Sequence, residues 1–177
     1  SLNLDERWML DSTLQYNAKT DQSERSVLGL RYNPSPYRVV NAAYRFQRDN
    51  AQQIDLSWQW PLNDLWGDKG LRLEAGQGQG PGRYYGVGRI NYSINERRLV
   101  DTVLGVEYDA GCWLARVVLE RVQTSTSTAS GRLMFQMEFV GFARLGISPL
   151  QTLTQNIARY QNLRDFGGST SRFGNYD

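Results

Sequence analysis

Gln53-Ile54-Asp55-Leu56-Ser57-Trp58-Gln59-Trp60-Pro61 is the stretch whose reading decides the fold. Ile54, Leu56, Trp58 and Trp60 occupy alternate positions, with Gln53, Asp55, Ser57 and Gln59 between them. Successive side chains of a strand point to opposite faces, so this segment has one apolar and one polar face. Arg132–Phe142 repeats the pattern, with Leu133, Phe135, Met137 and Phe139 opposing Arg132, Met134, Gln136 and Glu138. Many such segments in succession are the sequence signature of a transmembrane β-barrel, although a soluble sheet gives similar alternation.

Outward from that segment the chain reads as about eight strands. Trp8–Tyr16 puts Trp8, Leu10, Leu14 and Tyr16 on one face, and Arg25–Tyr32 follows the polar turn Lys19–Ser23. Asn33–Pro36 reads as a short turn, because proline cannot donate to a central ladder. Arg38–Phe46 places Val40, Ala42, Tyr44 and Phe46 together, and the turn Arg48–Gln52 leads into the opening segment. Leu62–Gly82 is the longest irregular stretch. Leu71–Ala75 is a candidate short strand within it, and Gly76–Gly82, alternating glycine with Gln and Pro, reads as a flexible loop. That loop matches neither GxGxxG nor a phosphate-binding loop with its lysine. Arg83–Ile94 and Leu99–Tyr108 form a hairpin around Asn95-Glu96-Arg97-Arg98, Trp113–Val122 comes next, and the Ser/Thr-rich Thr124–Gly131 is a surface loop. Ten residues at ~3.3 Å rise give ~33 Å, and a tilt of ~40° reduces this to ~25 Å, the height of a barrel's apolar band. Strands of soluble proteins are commonly five or six residues.

After Phe142 the pattern changes. Ser148-Pro149-Leu150-Gln151 predicts a helix start, with Ser as N-cap and Pro in the first turn. Leu150, Leu153 and Ile157 share a face of a short helix at about 149–158. Asp165–Asp177 is Gly/Ser-rich and reads as disordered. The expected organisation is therefore all-β: an antiparallel meander of about eight long strands, residues 1–142, forming part of a large transmembrane barrel. A C-terminal extension, residues 143–177, follows it.

Composition narrows the function. The 177 residues suit one domain, and 20 Lys+Arg nearly balance 18 Asp+Glu. Only Lys19 and Lys69 are lysines, so there is no lysine field for nucleic acid. No run approaches the 18 apolar residues of a membrane helix. Five Trp and ten Tyr suit membrane interfaces, strand surfaces and carbohydrate sites alike. The absence of histidine removes the usual general base and commonest metal ligand, and with them a Ser–His esterase. No metal, cofactor or enzymatic activity is expected. Without an initial Met or a signal peptide, the chain reads as a piece of a larger protein.

The candidate functional residues are the charged positions on the polar faces. Asp55, Arg89, Asp101, Glu107, Arg116, Glu120, Arg132, Gln136 and Glu138 are candidates to line a lumen, with Asp11, Arg31 and Arg45 in the same pattern. They could touch an amphiphile bearing phosphates, or equally form cross-strand ion pairs of ~0.2–1 kcal/mol each on a solvated face. The opposite positions, Leu56, Trp58, Trp60, Leu104, Val106, Trp113, Val117, Leu119, Leu133, Phe135, Met137 and Phe139, are candidates to face lipid. With that facing, an Arg is costly at Leu133 or Phe135 and tolerated at Gln136. Glu107 and Asp109 share a face, which reads as a polar strand end rather than a glycosidase pair. Cys112, the one cysteine, is either a small buried hydrophobe or a thiol with a partner elsewhere.

The run Tyr108-Asp109-Ala110-Gly111-Cys112-Trp113-Leu114-Ala115-Arg116 resembles the C-terminal part of the LptD (OstA/Imp) family of outer-membrane lipopolysaccharide assembly proteins. Trp58-Gln59-Trp60-Pro61-Leu62, Arg132-Leu133-Met134-Phe135-Gln136-Met137-Glu138-Phe139 and the closing Asn156-Ile157-Ala158-Arg159-Tyr160-Gln161 carry the same likeness. The resemblance implies a very large barrel in the outer membrane of a Gram-negative bacterium, plugged by the lipoprotein LptE. It further implies an N-terminal periplasmic domain that receives lipopolysaccharide from a protein bridge. Export would pass through a lateral opening between first and last strands, with Arg132–Phe142 as one lip. It implies for Cys112 a disulfide to the periplasmic domain. Some relatives carry two adjacent cysteines there, whereas this chain has Gly111 before Cys112. A generic porin or a carbohydrate-binding β-sandwich are the rival readings.

Overall fold

The computed structural model describes residues 2–17, 22–47, 51–73, 76–123, 128–139, 144–146 and 149–164. They form a ten-stranded antiparallel sheet in chain order, β1 (Leu2–Asp5), β2 (Trp8–Asn17), β3 (Gln22–Ser35), β4 (Arg38–Gln47), β5 (Ala51–Pro61), β6 (Arg83–Ser93), β7 (Arg98–Asp109), β8 (Trp113–Gln123), β9 (Ala129–Phe139) and β10 (Arg144–Gly146). Eight strands, β2 to β9, are 10 to 14 residues long, as the alternation predicts. Each pairs with its chain neighbour, and the outermost strands β1 and β10 do not pair with each other. No described helix is long and apolar enough to cross a membrane, which says nothing against strands doing so.

Register fixes the faces. Trp58 lies opposite Val40 and Gly88, Leu104 opposite Gly88 and Leu119, and Leu119 opposite Leu133. Directly opposed residues of an antiparallel ladder share a face, so the apolar sets of all eight strands merge into one surface. Leu56, Leu104, Val106, Val117, Leu119, Leu133, Phe135 and Phe139 are all exposed on it. This is the outer face. The inner face is covered by α1 (Leu150–Asn156) and the chain that continues to residue 164.

Several local expectations need correction. Asn33–Pro36 is not a free turn: β3 runs on to Ser35, with its register breaking between Tyr32 and Ser35, and Pro36-Tyr37 make the turn. Proline is tolerated there because the ladder is already interrupted. Leu71–Leu73 is irregular rather than a strand, and Glu74 and Ala75 lie outside the described residues. The glycine loop is not a free one. The Tyr37 hydroxyl accepts from the Gly76 and Gly78 amides at 2.7 and 3.1 Å, Gln77 bridges to Arg164, and residues 78–80 are buried. β9 is not the last strand, since β10 pairs with it at Arg144↔Glu138, Leu145↔Met137 and Gly146↔Gln136. Helix α1 has Pro149 at its N-cap without a side-chain cap. Ser148 and the tail 165–177 lie outside the described residues.

Candidate functional site on the inner face

The inner face is not uniformly polar. Val39, Val87, Val103, Val118 and Met134, one from each of β4, β6, β7, β8 and β9, form an apolar island on it. Leu153 and Ile157 close over this island and are 0% and 1% exposed, with Tyr160 packed alongside. A second island joins Tyr37, Tyr85 and Leu114 to Leu163. Fully burying a side chain such as Leu contributes roughly 1.5–3 kcal/mol, so these aliphatic anchors supply part of what holds the segment, and its polar contacts supply more.

Polar contacts fix where the strap lies. Asn156 Oδ1 accepts from Arg89 Nη1 at 2.8 Å, and the Ala158 carbonyl accepts from Asn41 at 3.1 Å. Gln161 and Gln59 exchange two bonds, side-chain amide to carbonyl at 2.7 Å and backbone amide to side-chain oxygen at 2.9 Å. The Gln161 side chain also accepts from the Tyr37 amide. Arg164 reaches Asp109 through two nitrogens, both at 3.1 Å. Residues 149–164 thus touch six consecutive strands, β4 to β9.

Beneath the strap sits a charged cluster. Arg116 is 0% exposed and faces Glu107 on β7 and Gln136 on β9 across the ladder. Its Nε donates to Glu107 Oε2 at 2.7 Å, Nη1 to Glu138 at 3.2 Å, and Nη2 to Asn162 of the strap. The Tyr160 hydroxyl donates to the same Glu107 oxygen at 2.7 Å. Glu107 Oε1 is buried and unpaired. One guanidinium therefore serves two carboxylates, and the strap completes the coordination. Bonds to ionised groups are about twice as strong as neutral ones, and such a buried set stands only when its members are paired.

The nine candidates for a lumen all lie on this inner face, but the structure divides them. Glu107, Arg116, Gln136 and Glu138 are buried under the strap and present nothing to a passing ligand. Gln136 packs beside the Arg116 guanidinium, so an Arg placed there would enter a buried cluster rather than the open lumen that the expected tolerance assumed. Asp55 and Arg89 pair, Asp101 approaches Arg89 at 3.8 Å, and Glu120 pairs with Arg132, which is 61% exposed. These five stay outside the cluster, as do Asp11, Arg31 and Arg45 in an open groove of about 310 Å³ beside Asn156. The twelve apolar candidates are on the outer face, eight exposed and Trp58, Trp60, Trp113 and Met137 partly covered. Glu107 and Asp109 are engaged by Arg116 and Arg164, not arranged as an acid and a nucleophile.

Cys112 is exposed in the turn between β7 and β8, which removes the buried-hydrophobe reading. The turn is built by its neighbours. Asp109 Oδ1 accepts from the Gly111 amide at 2.8 Å, and Gly111 adopts φ +90 with a Cβ position only 3.1 Å from Pro81. Only glycine takes that conformation at that contact without strain.

Sequence reasoning missed the strap. Asn156, Tyr160, Gln161 and Asn162 carry its polar contacts, yet their segment reads only as a short helix and an extension. The available signal was apolar residues at polar-face positions: Val87, Val103, Val118 and Met134 break the alternation where Leu153 and Ile157 dock.

Comparison with known proteins gives one consistent answer. The family LptD: LPS transport system D matches residues 1–66. The LPS-assembly protein LptD of Paracidovorax citrulli is 62% identical over 99% of this chain and 22% of its own length. That of a Polaromonas species is 60% identical over 100% and 22%, and that of Thiobacillus denitrificans 34% over 87% and 19%. The chain spans about a fifth of the length of these curated relatives. On this identity, sustained along nearly the whole sequence and joined to a meander of long two-faced strands, the chain belongs to the LptD family.

Proposed function

We propose that this chain is a wall segment of an outer-membrane β-barrel that assembles lipopolysaccharide into the outer leaflet, its outer face against lipid and its inner face toward the lumen. The observation that carries this reading is the bare outer face. A β-sandwich needs a second sheet over its apolar side, and among the described residues no second sheet covers this one. Aromatic rings border that face. Trp8, Tyr32 and Trp60 lie ring against ring in sequence, as do Tyr84, Tyr108 and Trp113, in the row nearest the Cys112 turn. Tyr92 marks the other border on β6, opposite Ile54. Eight residues separate Tyr84 from Tyr92, about 26 Å along the strand and about 20 Å at a 40° tilt, close to the apolar band between aromatic girdles. A generic porin shares this geometry but not the kinship with LPS-assembly proteins.

In this reading the partners are lipopolysaccharide, outer-membrane lipid, a plug lipoprotein (LptE) and a periplasmic bridge that meets a domain outside this chain. Cys112 makes a disulfide to that domain, so the turn end is periplasmic. Strands from β1 to β10, ending at Gly146, form the wall, and residues 149–164 are the strap on it. β10, rather than β9, then borders any lateral opening. The test is a photocrosslinking amino acid at Arg45 or Arg132, both exposed on the inner face, in a full-length protein that carries this segment in cells. Lipopolysaccharide adducts that depend on active export are expected. Their absence at both positions in correctly assembled protein would refute the substrate assignment. Cys112→Ser is expected to abolish a reduction-sensitive gel shift, and an unchanged shift would refute the disulfide.

A further inference from the structure

The sheet's outer face does not end with its strands. After Pro61 the chain enters a 3-10 helix, Leu62–Trp66, before the long excursion to β6. Leu62 packs over Gly86, where an added Cβ would come within 3.0 Å of it. Gly86 lies opposite Trp60 and Val106, so Leu62 is on the outer face. Residues three apart eclipse in a 3-10 helix, which sets Leu65 on the same side as Leu62. Leu65 is 78% exposed and the adjoining Trp66 62%, and nothing among the described residues covers either.

Other residues hold this turn in place. Asn63 is buried and accepts from the Tyr84 amide at 2.8 Å. Asp64 takes two bonds from Arg38, at 2.6 and 2.7 Å. Asp68, just beyond the turn, is held below the usual carboxylate range by the Gly70 amide and by Arg83. The turn is fixed at three points while its two largest apolar side chains remain bare. That arrangement suits a surface met by an external apolar phase.

We propose that Leu65 and Trp66 form an interfacial foot that rests in the headgroup layer of the periplasmic leaflet, extending the outer face past the aromatic row at Trp60 and Tyr84. Tryptophan favours this layer because its ring is apolar and its N–H is polar. Lys69, exposed three residues further on, places a cation where phosphates lie. The inference rests on the outer face being lipid-facing, and the experiment separates the two claims.

An environment-sensitive fluorescent amino acid is placed at Leu65, and in a second protein at Leu119, each in a full-length protein reconstituted in phosphatidylethanolamine/phosphatidylglycerol vesicles. Leu119 is expected to lose emission to an acyl-chain nitroxide, and Leu65 mainly to a headgroup nitroxide. Loss at Leu119 with none at Leu65 overturns the foot and leaves the wall standing. A blue-shifted but unquenched Leu65 probe means that protein covers this site, and also overturns it. No loss at either position overturns the lipid-facing assignment itself and the foot with it.

Discussion

Replacing Arg116 by Met removes the guanidinium that bridges the buried carboxylates of Glu107 and Glu138. The side chains of Arg116, Glu107 and Glu138 are 0%, 0% and 2% exposed, so water cannot substitute for the lost charge. A buried ion pair broken on one side costs about 3–5 kcal/mol. Its two bonds share one donor group, so their losses do not add, and the same range applies to the whole change. Two of the strap's contacts, from Asn162 and Tyr160, go to this cluster, so the strap should feel the loss first. At 1.4 kcal/mol per factor of ten, opening of residues 149–164 should become about a hundred-fold to a few thousand-fold more frequent. Hydrogen exchange of that segment in a full-length protein reads this directly, through peptides containing the Leu153 and Ile157 amides that close α1. The triple change Arg116→Met, Glu107→Gln, Glu138→Gln keeps the volumes and removes all three charges, and should restore most of the protection. Unchanged exchange in the single variant would show that the cluster does not hold the strap. A triple variant as exposed as the single one would show that unpaired charge is not the cause.

Leu153→Ala removes one of the strap's fully buried anchors, that between Val39, Val87, Val103, Val118 and Met134, and should cost about 2–5 kcal/mol, read by the same exchange; the exposed Gln151→Ala should change nothing. Gly88→Val sets a Cβ within 2.5 Å of the Trp58 ring and should force it aside at about 1–3 kcal/mol, visible as a lower unfolding temperature on a semi-native gel. Phe135→Arg, on the bare outer face of β9, should cost about 2–4 kcal/mol at the bilayer midplane and lower the amount of assembled protein in membranes, whereas Arg132→Gln, inner and exposed, should not. Equal losses at both positions would contradict the facing.

The alternation within Gln53–Pro61 and Arg132–Phe142 was enough to determine strands and which residues share a face, because the two-residue period of a strand is a local property of the chain; it did not fix the ends, since β9 begins at Ala129, inside the stretch read as a loop. The same locality gave the hairpin at Asn95–Arg98 and the approximate place of α1. The sequence also brought Cys112 to a strand boundary through Gly111, whose left-handed φ depends on its own missing Cβ. What lay beyond local reading was anything set by residues distant in the chain. Tyr160 meets Glu107 across 53 positions and Gln161 meets Gln59 across 102, and no period or motif encodes such a meeting. The polar face of β7 to β9 therefore read as open lumen, while the tertiary structure placed a strap over it. Burial turned Glu107, Arg116, Gln136 and Glu138 from candidate ligand contacts into an internal clamp, because a charge shut away from water must satisfy itself within the protein.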